Sequence, residues 1–270
     1  MAKDLTLGQY FPGNSFIHNL DPRTKIMCVL GFVVVIFLAT NHWGFFILTL
    51  FVGLLILLAR IPLLVVLKSV KPLWLILFFT FIIHMFATPG TVMFELGPLI
   101  ATVEGLIRGF FVALRLSLLI IVASLLIFTT SPIALTDGME RLLSPLRKIG
   151  VPAHELAMMM TIALRFIPTI LEETDRIVKA QIVRGADFST GNYFKRAKNM
   201  IPLLIPLFIS AFRRADDLAL AMDARCYRGG ENRTRMRELS IGQNDITAVS
   251  IFALLIIIMV IFRFSVIRVV

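Results

Sequence analysis

GLIRGFFVALRLSLLIIVASLLIFT, residues 105–129, decides what kind of protein this is. Its 25 residues exceed the roughly 20 that a helix needs to cross the hydrocarbon core of a bilayer. The only charges in it are Arg108 and Arg115. They share a face, and Arg108 can reach the outer interface by snorkelling, so Arg115 is the one expected to be paired inside a helix bundle.

Working outward, three apolar runs precede this segment, at Ile26–Ala39, Gly44–Leu58 and Pro72–Ala87, and one follows at Ile246–Phe262. The first three are short for a crossing. Asn41, His42 and Trp43 between the first two, and Trp74 opening the third, suggest tight turns and interfacial anchors. The first two read as separate spans, with one re-entrant hairpin as the alternative. Composition agrees with a membrane protein: 270 residues, 58% hydrophobic, with a mean hydropathy of +0.88. Cys28 and Cys226 are too few for a disulfide framework. No secretory signal is expected, since the apolar run from Ile26 is not followed by a cleavage pattern.

The net charge of +10 suits cytosolic loops rather than a nucleic-acid surface. Lys3, Arg23 and Lys25 precede the first run, and Arg60, Lys68 and Lys71 lie between the second and third. The stretch 88–104 has Glu95 and Glu104 but no Lys or Arg. Seventeen of the 27 basic residues fall between Thr130 and Asp245. The bias places the N-terminus and residues 130–245 in the cytosol and the C-terminus outside, with Arg263 and Arg268 weakly against it. The expected organisation is a membrane bundle over 1–129, an interfacial and cytosolic region over 130–245, and a final span over 246–270.

Within 130–245, Pro132–Ile149 carries Asp137 and Glu140 early and Arg147 and Lys148 late, matching a helix dipole. His154–Ile167 is apolar nearly all round and too short to span, so it must be buried, with Pro168 breaking or kinking it. Arg165 in this piece is expected to pair with Glu172 or Glu173, with a contact to a partner membrane protein as the alternative. Beyond Pro168 the pattern is two-sided, Ile170, Ile177, Val178 and Ile182 against Glu172, Arg176 and Lys179. A further helix opens with the apolar run Met200–Phe212, containing Pro202 and Pro206, and becomes amphipathic towards Ala224. Arg184 closes the run Ile170–Val183 just before Gly185. Arg225 closes the run Leu203–Ala224, with a glycine stop expected at Gly229–Gly230. A cation at a helix end beside a glycine break suits an acidic groove on a partner, although dipole compensation alone would also put it there.

The runs Ala163-Leu164-Arg165-Phe166-Ile167-Pro168, Gln181-Ile182-Val183-Arg184-Gly185 and Arg214-Ala215-Asp216-Asp217 through Ala221-Met222-Asp223-Ala224-Arg225, with Asp21-Pro22-Arg23-Thr24-Lys25 near the start, resemble a known family. It is the transmembrane T component of energy-coupling factor (ECF) transporters, EcfT or CbiQ-like. The resemblance takes in most of the chain. It implies an all-α integral membrane protein of about five transmembrane helices with long amphipathic cytosolic coupling helices. It further implies that Arg184 and Arg225, flanked by Val183, Gly185, Ala224 and Cys226, dock into two ABC-type ATPase subunits. Val183 stands where the family usually has alanine, and Cys226 where it has glycine or serine, so the flanking contacts are expected to differ.

The same resemblance implies a substrate-binding membrane S component seated on the apolar halves of these helices. Met158, Met159, Met160, Leu164, Leu204 and Phe208 are the candidate docking residues, and Pro168, Pro202 and Pro206 the candidate hinges. The methionines suit a surface that repacks against exchangeable partners. Micronutrient uptake, of a vitamin or a metal ion, would follow, in the bacterial cell membrane. No cofactor or metal is expected on this chain, with ATP and magnesium on the partner ATPases, and no nucleic acid. The sequence has no G-x-x-x-x-G-K-[ST], G-x-S-x-G or H-E-x-x-H, and its four histidines are scattered, so it reads as non-catalytic. A self-contained secondary transporter would want facing charged or broken helices in two related halves, and no internal repeat is seen. That reading and a conventional ABC permease subunit are the alternatives.

Overall fold

A computed structural model describes residues 10–39, 41–96, 99–186, 193–229 and 239–267 of the chain. The described residues are overwhelmingly helical: α1 (Pro22–Leu38), α2 (His42–Ala59), α3 (Leu63–Val70), α4 (Trp74–Ala87), α5 (Val103–Thr129), α6 (Pro132–Leu143), α7 (Ala153–Val183), α8 (Tyr193–Ala224) and α9 (Gln243–Ile267). A 3-10 turn at Lys71–Leu73 joins α3 to α4, so the helical run opens at Leu63, earlier than the Pro72 expected. By length and composition alone, His42–Ala59, Leu63–Ala87, Val103–Thr129, Ala153–Val183 and Gln243–Arg263 could each cross a membrane. The 17-residue α1 is shorter than a full crossing requires.

Backbone contacts divide the described residues into two compact units, one holding those between 10 and 139 together with 239–267, the other those between 140 and 229. In the first unit, α1, α2, α5 and α9 share a core. Phe45, Leu48, Val52, Ile56 and Ala59 recur every three or four residues on α2. They meet Phe32, Val35 and Ile36 of α1, Leu118, Val122 and Leu125 of α5, and Leu255 and Met259 of α9. The opposite face of α2 exposes Trp43, Leu50 and Leu57, and Leu64 of α3 and Trp74 of α4 are exposed as well, a composition that suits lipid and its interface.

The closest packing in this unit lies between α4 and α5. Gly105 and Gly109, four residues apart, put the α5 backbone directly against the α4 backbone. A Cβ at Gly105 would stand 2.6 Å from the Met85 carbonyl oxygen, and one at Gly109 3.0 Å from that of Phe81. A backbone carbonyl cannot swing aside as the end of a flexible side chain can, so a larger residue at either position must push the two helices apart. The connection between the two helices holds what the sequence did not foretell. Strands β1 (Val92–Leu96) and β2 (Leu99–Thr102) pair antiparallel, with an irregularity between Val92 and Phe94. Two links tie this hairpin to the start of α5. Thr102 Oγ1 accepts from the Gly105 N–H as an N-cap and donates to the Thr88 carbonyl. The Glu104 carboxylate accepts from the N–H and hydroxyl of Thr91.

Three helix ends meet at the opposite pole of the unit: the starts of α1 and α9 and the close of α5. Asp21, the N-cap of α1, accepts from the Arg23 N–H and holds its guanidinium at 2.9 Å, while Arg23 donates on to the Leu239 carbonyl. The Asp21 N–H donates to Asp245 Oδ1 at 2.7 Å, and Asp245 Oδ2 accepts from the Gly242 N–H. Burial by itself would raise the Asp21 pKa, but the side-chain and backbone hydrogen bonds from Arg23 and the nearby positive charges outweigh it and hold the carboxyl below its ordinary range. Lys25 Nζ donates to the His18 carbonyl, the Thr129 carbonyl and Thr130 Oγ1. Its ammonium thus covers the last carbonyls of α5, where the helix dipole is negative.

Arg115 serves the other end of α1 in the same manner. It donates to the Ala39 carbonyl at 3.0 Å and lies over the rings of Phe37 and Phe45 at 5.4 and 5.3 Å. Pairing inside the bundle was expected, and the partners are a helix-end carbonyl and two aromatic faces. Replacing Gly109 with Leu should force α4 away from α5 and lower stability by about 1–3 kcal/mol. Gly53→Ala, where a Cβ would meet nothing within 4 Å, should be neutral or slightly stabilising. Thermal melting of the purified protein in detergent compares the two, and equal losses would contradict the packing argument.

Candidate functional site

The second unit is built on two long helices, α7 of 31 residues and α8 of 32. Pro168 does not break α7, and Pro202 and Pro206 do not break α8. An interior proline removes one hydrogen bond and leaves the carbonyl four residues earlier without its donor. At Pro206 that carbonyl belongs to Pro202, and the Gln181 side-chain amide of α7 reaches it at 3.5 Å, a long contact. The expectation that His154–Ile167 is a separate, buried short piece is therefore corrected, because the helix continues to Val183 and leaves Leu156, Met159 and Met160 exposed.

Three contacts fix how the pair runs. Gln181 of α7 meets Pro202 of α8, Glu173 pairs with Arg214 at 2.6 Å, and His154 meets Tyr227 just past the end of α8 at 3.1 Å. Positions rise along one helix as they fall along the other, so α7 and α8 are antiparallel. Glu173 is thus taken by Arg214, whereas Arg165 is exposed and makes no ion pair among the described residues. The pairing expected for Arg165 is corrected accordingly. By helical spacing it lies on the polar stripe with Thr161, Glu172 and Arg176.

Arg184 and Arg225 close the two helices with the same hydrogen-bond pattern. After α7, the Gly185 N–H donates to the Ile182 carbonyl at 2.9 Å and the Ala186 N–H to that of Gln181 at 2.9 Å. After α8, the Cys226 N–H donates to the Asp223 carbonyl at 2.8 Å and the Tyr227 N–H to that of Met222 at 3.0 Å. Both are Schellman caps with arginine at the final helical position and the next residue left-handed, Gly185 at φ 86° and Cys226 at φ 56°. The glycine stop expected at Gly229 and Gly230 is corrected, since the chain turns at Cys226 and Gly230 lies outside the described residues. Aligning the chain on its two arginines would have revealed the equivalence, because both caps occupy the same offsets from them.

All six residues around the arginines, Val183, Arg184, Gly185, Ala224, Arg225 and Cys226, are exposed, Val183 at 88%. Antiparallel packing sends the two tips to opposite ends of the pair. At 1.5 Å per residue α7 is about 45 Å long, so the arginines stand on the order of 40 Å apart. Of the candidate docking residues, Met159, Met160, Leu204 and Phe208 are exposed and Met158 and Leu164 half-buried. On α8, Ile201, Leu204, Ile205, Phe208, Ile209 and Phe212 form an exposed apolar stripe at helical spacing. No cluster of three or more metal-ligating side chains occurs among the described residues. One polar cluster had no sequence signal: His154 Nδ1 lies 2.9 Å from Glu140 Oε1, and its Nε2 faces the Tyr227 hydroxyl. These residues are 14 and 73 positions apart, which no local pattern joins.

Comparison with known proteins bears on this arrangement. The family described as CbiQ, cobalt transport protein, matches residues 13–236. The chain belongs to the EcfT/CbiQ family of energy-coupling factor transporter transmembrane proteins. The EcfT of Acidaminococcus fermentans, named an energy-coupling factor transporter transmembrane protein, is 62% identical over 245 residues, 91% of each chain. Its namesake from Thermosediminibacter oceani is 55% identical over 246 residues, 91% of this chain and 93% of the relative. That of Bacillus subtilis is 48% identical over 240 residues, 88% and 91% respectively. Family membership and the long apolar helices make this a multi-pass protein of the cell membrane and a component of a transporter.

Within this family member, Cys226 occupies a backbone position that glycine fills at the matching cap. A left-handed side chain costs about 1 kcal/mol, so Cys226→Gly should stabilise the end of α8 by up to about 1 kcal/mol and Gly185→Ala should destabilise that of α7 by a similar amount. Thermal unfolding of the two single variants checks this, and a destabilising Cys226→Gly would contradict the cap assignment.

Proposed function

We propose that this chain is the coupling subunit of an ECF-type ABC importer. It passes ATP-driven movement from two ATPase subunits to a substrate-binding S component during uptake of a micronutrient, a vitamin or a metal ion. The observation that carries the reading is the repeated arginine cap: two exposed guanidinium tips, built alike and held at opposite ends of one antiparallel helix pair. Tips so far apart cannot share one pocket, which supports one tip for each ATPase. Acidic grooves on those subunits would receive Arg184 and Arg225 with charge-assisted hydrogen bonds.

Nucleotide and magnesium belong to the ATPases in this reading, and the chain itself is non-catalytic. The convergence of the starts of α1 and α9 with the end of α5 supports the orientation given by the basic loops, with the N-terminus and residues 130–245 in the cytosol. Closure of the ATPases on ATP would draw the tips together or apart. The exposed apolar stripes of α7 and α8, including Met159, Met160, Leu204 and Phe208, would carry that displacement to the S component, with Pro168, Pro202 and Pro206 as the compliant points.

The decisive experiment is Arg184→Glu combined with Arg225→Glu in the intact transporter. Losing a desolvated charged contact costs on the order of 2–5 kcal/mol, so the double variant should no longer co-purify with the ATPases. Undiminished assembly and ATP-dependent uptake would refute the coupling role.

A further inference from the structure

We infer that His154 is a positioning residue for the Arg225 tip, acting through Tyr227; this rests on the coupling role proposed above. Tyr227 is the second residue beyond Arg225, and its N–H closes the cap by donating to the Met222 carbonyl at 3.0 Å. Its phenol is held separately, with the hydroxyl 3.1 Å from His154 Nε2 at the start of α7. His154 Nδ1 in turn lies 2.9 Å from the Glu140 carboxylate at the end of α6, and the Glu140 side chain is only 11% exposed. Tyr227 thereby pins the cap at two points, backbone and phenol, and a swing of Arg225 about the end of α8 must break one of them.

The chemistry gives this chain a direction. An ionised carboxylate only accepts, so Nδ1 carries a proton and donates to Glu140, which leaves Nε2 of the neutral ring to accept from the Tyr227 hydroxyl. Were the ring to become imidazolium, Nε2 would donate to the phenolic oxygen instead. The hydroxyl can serve either way, so both contacts persist in both states of the ring. The matching position beyond Arg184 is Ala186, whose methyl group can form no such link. The two tips are therefore built unequally. The Arg225 tip is tethered to the start of α7 and the end of α6, and among the described residues the Arg184 tip has no such tether.

The test uses the full chain in lipid nanodiscs and measures the equilibrium affinity of its ATPase pair. His154→Ala and Tyr227→Phe should each weaken binding by about 3- to 10-fold, as befits one net hydrogen bond. Combined, they should do no more harm than the worse single change. On an Arg225→Ala background both effects should vanish, whereas on an Arg184→Ala background both should remain. A nitroxide on the native Cys226, with Cys28→Ser to make the label unique, should become more mobile in Tyr227→Phe. An effect of His154→Ala that survives intact without Arg225, or an unchanged label spectrum, would overturn the positioning role. Unaltered affinity in Arg225→Ala alone would instead bring down the coupling reading, and this inference with it. Weakened binding in Arg225→Ala with no effect of His154→Ala would remove this inference only.

Discussion

The last carbonyl groups of an α-helix have no donors within it, and in or near a bilayer water cannot be relied on to supply them. Much of this molecule can be read as a set of answers to that constraint. Lys25 reaches across from α1 to cover the Thr129 carbonyl at the end of α5, and Arg115 reaches back from α5 to cover Ala39 beyond α1. The two basic side chains thereby tie the same two helices together at separate levels. At α7 and α8 the backbone supplies its own donors by turning left-handed, so no cation has to fold back onto the helix. Arg184 and Arg225 are consequently free to point away, which is what an exposed charged tip needs.

How much of this was legible beforehand depended on the range over which each feature is encoded. The span 105–129 was plain because every turn of it repeats the same apolar signal. The arginines at the close of α7 and α8 were plain because each ends a periodic run. The end placed at Ile167, just before Pro168, misled, since a local rule for breakage does not count the neighbouring helix that stabilises a long rod in spite of a missing donor. The turn at Cys226 was hidden by the absence of glycine, with the same hydrogen bonds formed around a residue that pattern rules would not choose. Glu140, His154 and Tyr227 were beyond reach, because it takes both the turn from α6 into α7 and the antiparallel packing of α8 on α7 to bring them together. The hairpin across 92–102 was missed for a simpler reason: a short polar-flanked connection between two spans invites no search for strands.

Family membership and geometry meet in the second unit. A transporter component of this family needs surfaces for other chains, and α7 and α8 offer two kinds on the same rods. Their tips are polar, charged and tightly capped, whereas the flanks of α8 near Phe208 and Phe212 are apolar and unpacked. Under the proposed function the rigid caps would take force and the adaptable flanks would deliver it. The Glu173–Arg214 pair sits between those regions and keeps the rods in register.

The unequal helix lengths in the first unit bear on the surrounding lipid. At 17 and 18 residues, α1 and α2 reach about 26 Å, whereas the 27 residues of α5 reach about 40 Å. A flat slab of hydrocarbon cannot match both. α5 can fit the same slab by leaning, whereas spans as short as α1 and α2 are met by thinned lipid, by flanking residues reaching out to the interface, or by a neighbouring protein of matching length. Each ångström left unmatched costs a fraction of a kcal/mol, so the flank of the short pair is where a lipid-embedded neighbour of similar length would relieve the most mismatch.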